Sequence, residues 1–376
     1  MITLITGPDA LAAYLRQPAL TPPALSPDVC EHLHEQGVGP LVYRALRDRH
    51  LLDAQPTIVR DQLTRLYREE TILEPFRREE VARVLDALAA AGVKALVFKG
   101  TALAYTCYPE PALRPRLDTD LLIRRDDVDA ASRVFERLGC TRALRTAGEL
   151  VTHQFIYVSA QHGLDIAFDV HWKVSDPQAF ADLFSFEELE GEARPVPALA
   201  RTARVLCEEH ALLVACTHRV AHHYDREILI FLYDIELLAR RLDVSGWDRV
   251  VEMARAKRIC HVTLRGLDLA SNLLGTPIPK PVRSALADDS PGSRGDEPTR
   301  VYLDSGLRKI DILRADLRQL NWRDRLRLIR GHLLPAPAFV LRSYGQTRRE
   351  ILPVILPLLY LIRIARGASA WFRPLR

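Results

Sequence analysis

The sequence predicts a mostly helical α+β fold in which a small mixed β-sheet lies between two helical regions. Apolar residues recur at helical spacing through residues 8–91 and again from residue 196 onward. Between these regions, short segments rich in Val, Ile and Phe are bounded by glycines, as is typical of strands. The chain has 376 residues, of which 48% are hydrophobic, so it can bury one elaborated core or two cores.

The N-terminal helical region is expected over residues 1–91, because Gly92 is a typical residue just after a helix. The other regions are expected as follows: a sheet-containing core over 92–195, a second helical region over 196–285, a flexible loop rich in Pro and Gly over 286–300, and a basic and apolar tail over 301–376. In the second helical region the predicted helices are Ala200–Ala221, Ile228–Arg241, Trp247–Ala256 and His261–Leu274, and no strand is expected there.

The core region is predicted to alternate between strands and helices. Its expected elements, in chain order, are a strand over Val93–Phe98, a helix over Thr101–Cys107, a strand that carries Asp118 and Asp120, a helix over Val128–Leu138 capped by Asp126 or Asp127, and strands over Thr152–Ser159 and Leu164–Trp172. The last two strands are joined by a turn at Gly163.

Composition excludes several classes of protein. The formal net charge is only +4, which gives no support for wholesale nucleic-acid binding. The six cysteines lie far apart and form no C-x-x-C, so neither a zinc knuckle nor a disulfide framework is indicated. The N-terminus has no basic segment before an apolar stretch, unlike a secretory signal. We therefore expect a cytoplasmic protein.

The tail differs in charge from the rest of the chain. Residues 301–376 contain 15 Lys and Arg against 5 Asp and Glu, a net charge of +10. The apolar run at 351–362 contains Pro353 and Pro357 and is shorter than the roughly 20 residues of a spanning helix. Two alternatives follow: this segment closes the protein's own core, or it makes a peripheral contact with a membrane or a partner through residues 351–376.

Two aspartates one residue apart are the strongest functional signal. Asp118 and Asp120 lie in a strand-type segment, where side chains at i and i+2 share a face. Two carboxylates so close repel each other unless a cation lies near them, and Mg²⁺ prefers oxygen ligands. The spacing therefore predicts a metal site.

Two further features extend this site. Asp169 lies on a later strand, with His171 on the same strand face, and a third carboxylate near the first two would complete a site for phosphate chemistry. Asp165 shares that face and is the alternative to Asp169. Gly100 opens a predicted helix, whose first N–H groups could cradle a phosphate.

Together, Lys99-Gly100-Thr101, the segment from Arg114 to Leu122 with Asp118 and Asp120, and the run from Asp169 to Trp172 resemble the signature of the DNA polymerase beta type nucleotidyltransferases. The resemblance is greatest to the bacterial branch of poorly characterised nucleotidyltransferases and covers roughly residues 80–280. This chain has Gly-Thr where Gly-Gly or Gly-Ser is usual, Thr119 where an aliphatic residue is usual, and a longer gap from Gly100 to Asp118.

The resemblance implies a mixed-sheet transferase core that uses Mg²⁺ or Mn²⁺ to move a nucleoside monophosphate from an NTP to an acceptor. It implies that Asp118, Asp120 and Asp169 hold the metal and that Gly100 and Thr101 hold the phosphates. The acceptor is open: a protein side chain, a tRNA end, a sugar phosphate or a small molecule. The alternatives are a regulatory nucleotide-binding protein on a decayed transferase core and a kinase of small molecules.

Several other side chains have two interpretations. Lys99, Arg114 and Arg116 are candidates to bind the triphosphate, although a solvated basic loop is the alternative for the two arginines. His218 and His222 have the i, i+4 spacing of zinc ligands but lack a third ligand, so we favour histidines that line the cleft or bond to neighbouring helices. Asp234 lies on an apolar helix and needs a partner, for which we expect Arg219, His218 or His222.

Overall fold

The computed structural model describes residues 7–16, 25–143, 150–161, 163–288, 297–337, 340–341 and 352–375. The chain is mostly helical with one seven-stranded mixed sheet, which confirms the predicted α+β class. The α-helices of the described residues are α1 Gly7–Leu15, α2 Val29–Gln36, α3 Gly39–Asp48, α4 Thr57–Ala90, α5 Lys99–Thr106, α6 Val128–Arg137, α7 Gln178–Ala181, α8 Phe186–Gly191, α9 Glu208–His223, α10 Leu229–Ala239, α11 Val244–Ala256, α12 Cys260–Leu274, α13 Lys280–Ala287, α14 Lys309–Gln319, α15 Trp322–Leu333 and α16 Leu352–Trp371. The strands are β1 Ala95–Phe98, β2 Asp118–Ile123, β3 Thr141–Ala143, β4 Gln154–Gln161, β5 Leu164–His171, β6 Arg194–Pro195 and β7 Arg204–Val205.

The sheet has the order β3-β4-β5-β2-β1-β7-β6. Strand β2 lies at its centre, antiparallel to β1 and parallel to β5. Strand β7 is parallel to β1 and pairs with the edge of β1 that faces away from β2. Strand β4 is antiparallel to β5. The two strands that carry the predicted carboxylates are therefore direct neighbours.

The two faces of the sheet pack against different layers. Val97, Leu121 and Phe168 point to one face, where they form a core with apolar residues of α6 and the second half of α4. Leu96 and Leu122 point to the other face and join a larger core with helices of the N-terminal region and with α9, α10 and α12. Because side chains alternate along a strand, Asp118 and Asp120 lie on the same face as Leu122, toward the larger core.

Most predicted elements of the core region are confirmed within a few residues. The strands at 93–98, 118–123, 152–159 and 164–172 and the helix at 128–138 are all present. Strand β3 was not predicted, because its three residues, Thr141–Ala143, carry too little alternation to be distinguished from a loop.

The prediction of a helix from Ala200 and of no strand beyond residue 196 is wrong. Helix α9 begins only at Glu208, and Arg204–Val205 forms β7, paired with β6 at Arg194–Pro195. Val205 pairs with Val97 of β1, so these residues extend the sheet. A two-residue strand is stabilised by its neighbours and leaves no periodic pattern in the sequence.

The C-terminal residues form further helices. Helix α16 covers most of the predicted apolar run, and residue 351 and the arginines at 348 and 349 lie outside the described residues. Most of the predicted loop at 286–300 also lies outside them. Among the described helices, none combines the length and the apolar character needed to cross a membrane.

Candidate active site

Strands β2 and β5 place Asp120 and Asp169 side by side. The two residues are direct partners in the parallel register, and His171 follows two residues later on the same face of β5. Ligand atoms of Asp120, Asp169 and His171 all lie within 4.8 Å of one another. Asp165, the alternative to Asp169, is exposed and pairs with Ala160 near the opposite end of β5. The structure therefore brings Asp169, and not Asp165, next to Asp120.

Asp118 lies at the first residue of β2, one strand repeat before Asp120 and at the mouth of the cleft. Its carboxylate is not part of the three-residue group around Asp120. Although this side chain reaches solvent, its partial burial by the surrounding cleft and then the negative charge of Asp120 raise the pKa of Asp118 to about 6. At neutral pH it is still ionised and adds negative charge beside the group.

Asp120 is buried and holds two hydrogen-bond donors on one oxygen. Lys99 Nζ donates to Asp120 Oδ1 at 2.7 Å, and His171 Nε2 lies 2.8 Å from the same atom. Burial alone would raise the pKa of Asp120, but the Lys99 ammonium and the His171 hydrogen bond hold it well below its usual range. Asp120 is therefore a permanent anion with a lysine as its counterion.

His171 is neutral at physiological pH. Burial, and then the nearby Lys99 ammonium, lower its pKa to about 4. Its Nε2–H must donate to Asp120, since an ionised carboxylate only accepts. Its Nδ1 atom is buried and has no hydrogen-bond partner among the described residues. His171 thus orients Asp120 and leaves one nitrogen lone pair unused.

Gln154 is a site residue that sequence reasoning missed. Its Nε2 donates to Asp169 Oδ2 at 2.7 Å from β4, where Gln154 is paired with His171. No motif marks this glutamine, because its role depends on the register between two strands. An amide donor orients a carboxylate without neutralising its charge.

Helix α5 begins beside these carboxylates. Lys99 is its first residue and has a left-handed φ of 55°, which is rare outside glycine and places its side chain against Asp120. The first N–H groups of any helix have no intrahelical partner, and no side chain caps this helix start. A Cβ at Gly100 would lie 3.7 Å from Arg114 and Arg116, an ordinary contact distance. Packing within the chain therefore does not require glycine at this position.

Thr101 and Thr119, the two threonines at which the chain departs from the usual motif, contact each other. Their hydroxyl oxygens lie 3.1 Å apart, and both residues are buried. Arg116 Nε also donates to the Thr101 hydroxyl at 3.1 Å. The two departures thus form one hydrogen-bonded pair between α5 and β2, and the Thr101 hydroxyl is engaged inside the protein.

Arg114 and Arg116 are buried, so the interpretation as a solvated basic loop is wrong. Arg114 donates to both oxygens of Asp234, through Nε at 3.0 Å and Nη2 at 2.8 Å, and Tyr108 Oη donates to Asp234 Oδ1 at 2.6 Å. Arg116 Nη2 donates to Glu74 at 2.7 Å. Both guanidinium groups also lie along the cleft.

The expected partner of Asp234 was therefore wrong. None of Arg219, His218 and His222 bonds to it; Arg219 instead forms a fully buried ion pair with Asp225 at 2.6 Å. Arg114 is distant from Asp234 in sequence and reaches it because the loop before β2 packs against α10. Sequence spacing on α9 and α10 could not reveal this long-range pair.

The carboxylates open into a cleft of about 1010 Å³ between the sheet, α5, α9 and α10. On its opposite wall are His218, His222, His223 and Phe231. Burial is the main cause that lowers the pKa of His222 to about 3 and of His223 to about 4, and the Lys99 ammonium adds to it. This wall is therefore uncharged at neutral pH. His222 Nε2 bonds to Ser175 Oγ at 2.8 Å.

The residues of the group fit a divalent cation. The carboxylates of Asp120 and Asp169, on adjacent strands, supply hard oxygen ligands, and the His171 ring lies within the same 4.8 Å group, where it orients Asp120. A second group in the described residues contains Glu192, Cys207 and His210. There, Cys207 Sγ lies 3.1 Å from His210 Nδ1, and Glu192 already pairs with Arg249, so hydrogen bonds and ion pairs account for it.

Comparison with known proteins assigns the chain to a family. The model of a family described as uncharacterised nucleotidyltransferases matches residues 26–275, which include the sheet, α5, α9 and α10. No curated protein matches the chain. Because the match covers about two thirds of the sequence and all of the site residues above, this protein belongs to the uncharacterised nucleotidyltransferase family.

Proposed function

We propose that the protein is a metal-dependent nucleotidyltransferase of the DNA polymerase beta type and that it belongs to the bacterial branch of that superfamily. It would move a nucleoside monophosphate from an NTP to an acceptor hydroxyl or phosphate and release pyrophosphate. The observation that carries the proposal is the pairing of Asp120 with Asp169 on adjacent strands, next to the uncapped start of α5. Carboxylates and a phosphate-binding helix start are the two parts that such a transfer needs.

In this proposal Asp118, Asp120 and Asp169 hold Mg²⁺ or Mn²⁺. When bound, the ion would offset the negative charge of the phosphates and of the attacking oxygen. His171 and Gln154 hold the two inner carboxylates in place through their hydrogen bonds at 2.8 Å and 2.7 Å. Asp169, which lines the cleft, is the candidate to accept the proton of the acceptor hydroxyl.

The start of α5 is proposed as the phosphate site. The N–H groups of Lys99, Gly100 and Thr101, at a helix start that no side chain caps, carry the positive end of the helix dipole. Since packing does not demand glycine at residue 100, room for a close phosphate explains its presence. Thr101 would contribute its backbone, because its hydroxyl is engaged by Arg116 and Thr119.

Arg114 and Arg116 have a supporting role in this proposal. Each already bonds to a carboxylate, so neither offers a full guanidinium to a triphosphate. They fix the loop before β2 and contribute positive charge to the cleft wall. The phosphates then lie toward Lys99, and the uncharged wall of His218, His223 and Phe231 is left for a base or an acceptor, which can stack on aromatic rings.

The test is to incubate the purified protein with each NTP and Mg²⁺ or Mn²⁺ and to measure pyrophosphate and labelled products. Candidate acceptors are the protein itself, tRNA, sugar phosphates and small molecules. We expect Asp120→Asn and Asp169→Asn to abolish pyrophosphate release. Asp165→Asn is the matched control, because it removes an exposed carboxylate from the same face of the same strand, and it should retain activity.

Two alternatives give different products. A small-molecule kinase would release NDP instead of pyrophosphate. A regulatory protein on a decayed core would bind NTP without turnover, and the Lys99–Asp120 ion pair is the observation that favours it, because a lysine already neutralises the metal-binding carboxylate. NTP binding that persists in the absence of any product with every candidate acceptor would replace the proposed transfer by this second function.

A further inference from the structure

The C-terminal helices expose an unusual amount of apolar surface. The described part of the chain exposes twelve large apolar side chains, and eight of them lie within residues 322–372. Single exposed apolar residues are normal on a protein surface, but a cluster of this kind indicates a contact site. The cluster lies outside the family match, which ends at residue 275.

Helix α15 has the pattern of a helix that lies in an interface. Trp322, Leu326 and Leu333 are exposed at i, i+4 and i+11, so they share one side of the helix, and Leu334 follows them. Four exposed arginines are interspersed with these residues: Arg323, Arg325, Arg327 and Arg330. The only acidic residue of the helix is Asp324, which pairs with Arg327.

Helix α16 presents a second apolar stripe. Leu358, Leu361 and Ile364 are exposed at spacings of three, and Phe372 is exposed just beyond the helix end. Leu359, between the first two, is buried against the protein. The helix therefore uses one side for packing and leaves an apolar side to solvent, with Arg366 and Arg373 exposed nearby.

The two helices belong to one layer. Tyr360 Oη donates to the backbone oxygen of Pro335 at 2.5 Å, and the rings of His332 and Trp371 lie 5.4 Å apart. Just beyond α16, Pro374 forms a bridge with Arg308, and Leu375 N donates to Leu307 O at 2.8 Å, which anchors the end of the chain before α14. The exposed stripes are thus held by the fold at the middle and at the C-terminal end of α16.

We propose that this C-terminal surface, defined by the exposed apolar residues of α15 and α16 and their arginines, docks the protein on an anionic lipid bilayer. From residue 321 to 375 the described residues contain seven arginines and one acidic residue. Apolar side chains flanked by arginines insert between lipid headgroups while the guanidinium groups bind lipid phosphates.

Charge complementarity favours a bilayer over other occupants. Two copies of this surface would repel each other through their arginines, which disfavours self-association. A nucleic acid would pair with the arginines but would leave Leu358, Leu361 and Ile364 in water. A bilayer satisfies both the charged and the aliphatic parts of the surface.

The test is co-sedimentation of the full-length protein with vesicles of phosphatidylcholine alone or mixed with phosphatidylglycerol. We expect binding to the mixed vesicles only, weakened by high salt. The triple variant Leu358→Ser, Leu361→Ser, Ile364→Ser should bind more than about tenfold more weakly. Arg323→Gln and Arg327→Gln should each weaken binding about fivefold. The control is Ile58→Ser with Ile72→Ser, which removes two exposed isoleucines from α4 and should bind normally.

Several results would overturn the proposal. They are equal binding to both kinds of vesicle, no binding to either, or full binding by the triple variant together with both arginine variants. A dimer that the triple variant dissociates, in a protein that does not bind vesicles, would assign the surface to self-association. Retention by RNA but not by vesicles would assign it to nucleic acid. Circular dichroism of each variant excludes misfolding, and the assay needs neither nucleotide nor metal, so its outcome is independent of the proposed transferase activity.

Discussion

Replacement of Arg114 by Met removes one half of a buried ion pair that joins the loop before β2 to α10. Arg114 and Asp234 have side chains that are 8% and 5% exposed, and three hydrogen bonds connect them, two from Nε and one from Nη2. The variant would leave the Asp234 carboxylate buried, with Tyr108 as its remaining donor. Loss of one partner of a buried pair typically costs about 3–5 kcal/mol, so we expect a decrease of that size in the free energy of unfolding.

A double-variant cycle separates the pair from its surroundings. In Arg114→Met with Asp234→Leu both charges of the pair are replaced by apolar groups, so neither partner is left as an unpaired buried charge. The Tyr108 hydroxyl then loses its acceptor, which costs about 1–3 kcal/mol. We therefore expect the double variant to be more stable than Arg114→Met alone and far more stable than the sum of the two single variants predicts.

The assay is urea denaturation followed by circular dichroism at neutral pH, with the slope of the transition checked for each variant. The stabilising role of this pair would be contradicted if Arg114→Met lost less than about 1 kcal/mol in its free energy of unfolding, or if the two single effects simply added in the double variant. A stable Arg114→Met protein with a raised KM for NTP would instead assign Arg114 to direct binding of the triphosphate.

Three further predictions concern charged groups. Lys99→Met removes the ammonium group that competes with a metal ion for the Asp120 carboxylate. We therefore expect Mn²⁺ to bind about tenfold more tightly, measured by a titration followed by electron paramagnetic resonance, while nucleotidyl transfer slows. Weaker Mn²⁺ binding would contradict this. The pKa of His222 is lowered to about 3 in the folded protein, so below about pH 6.5 the unfolded chain binds a proton at this residue that the folded protein does not. The free energy of unfolding therefore falls as pH falls, by about 2 kcal/mol at about pH 5. In His222→Gln the loss of stability between neutral pH and about pH 5 should be smaller by that amount, and an unchanged pH dependence would contradict it. Burial raises the pKa of Asp316 to about 7, so the free energy of unfolding falls as pH rises from about 4 to 7. Asp316→Asn should therefore be more stable than the wild type by up to about 4 kcal/mol at about pH 8, with little difference at about pH 4. A variant less stable than the wild type at about pH 8 would refute this.

The central strands were predictable because their sequences alternate or run apolar over four to eight residues. In β5, Ile166, Phe168 and Val170 point to one core while Asp165, Asp169 and His171 point to the other side. Strands β6 and β7 were not predictable, since each has two residues and depends on pairing with its neighbours. Local pattern is informative only where an element is long enough to show a period.

The candidate site was predictable in its parts but not in its connections. The i, i+2 spacing correctly indicated that Asp118 and Asp120 share a strand face, which the burial of Leu121 in the opposite core supports. The bond from Gln154 to Asp169, the contact between Thr101 and Thr119, and the pair of Arg114 with Asp234 depend on strand register and helix packing. Such long-range contacts leave no signal in a single sequence.

In the proposed function, Asp120 and Asp169 hold the catalytic metal beside a phosphate site at Gly100. The most direct test is a crystal structure with Mn²⁺ and a non-hydrolysable NTP, in which anomalous scattering locates the metal. We expect an anomalous peak in contact with both carboxylates and the triphosphate at the first turn of α5. A peak at the group of Glu192, Cys207 and His210, or nucleotide bound away from α5 with no metal at Asp120, would contradict it.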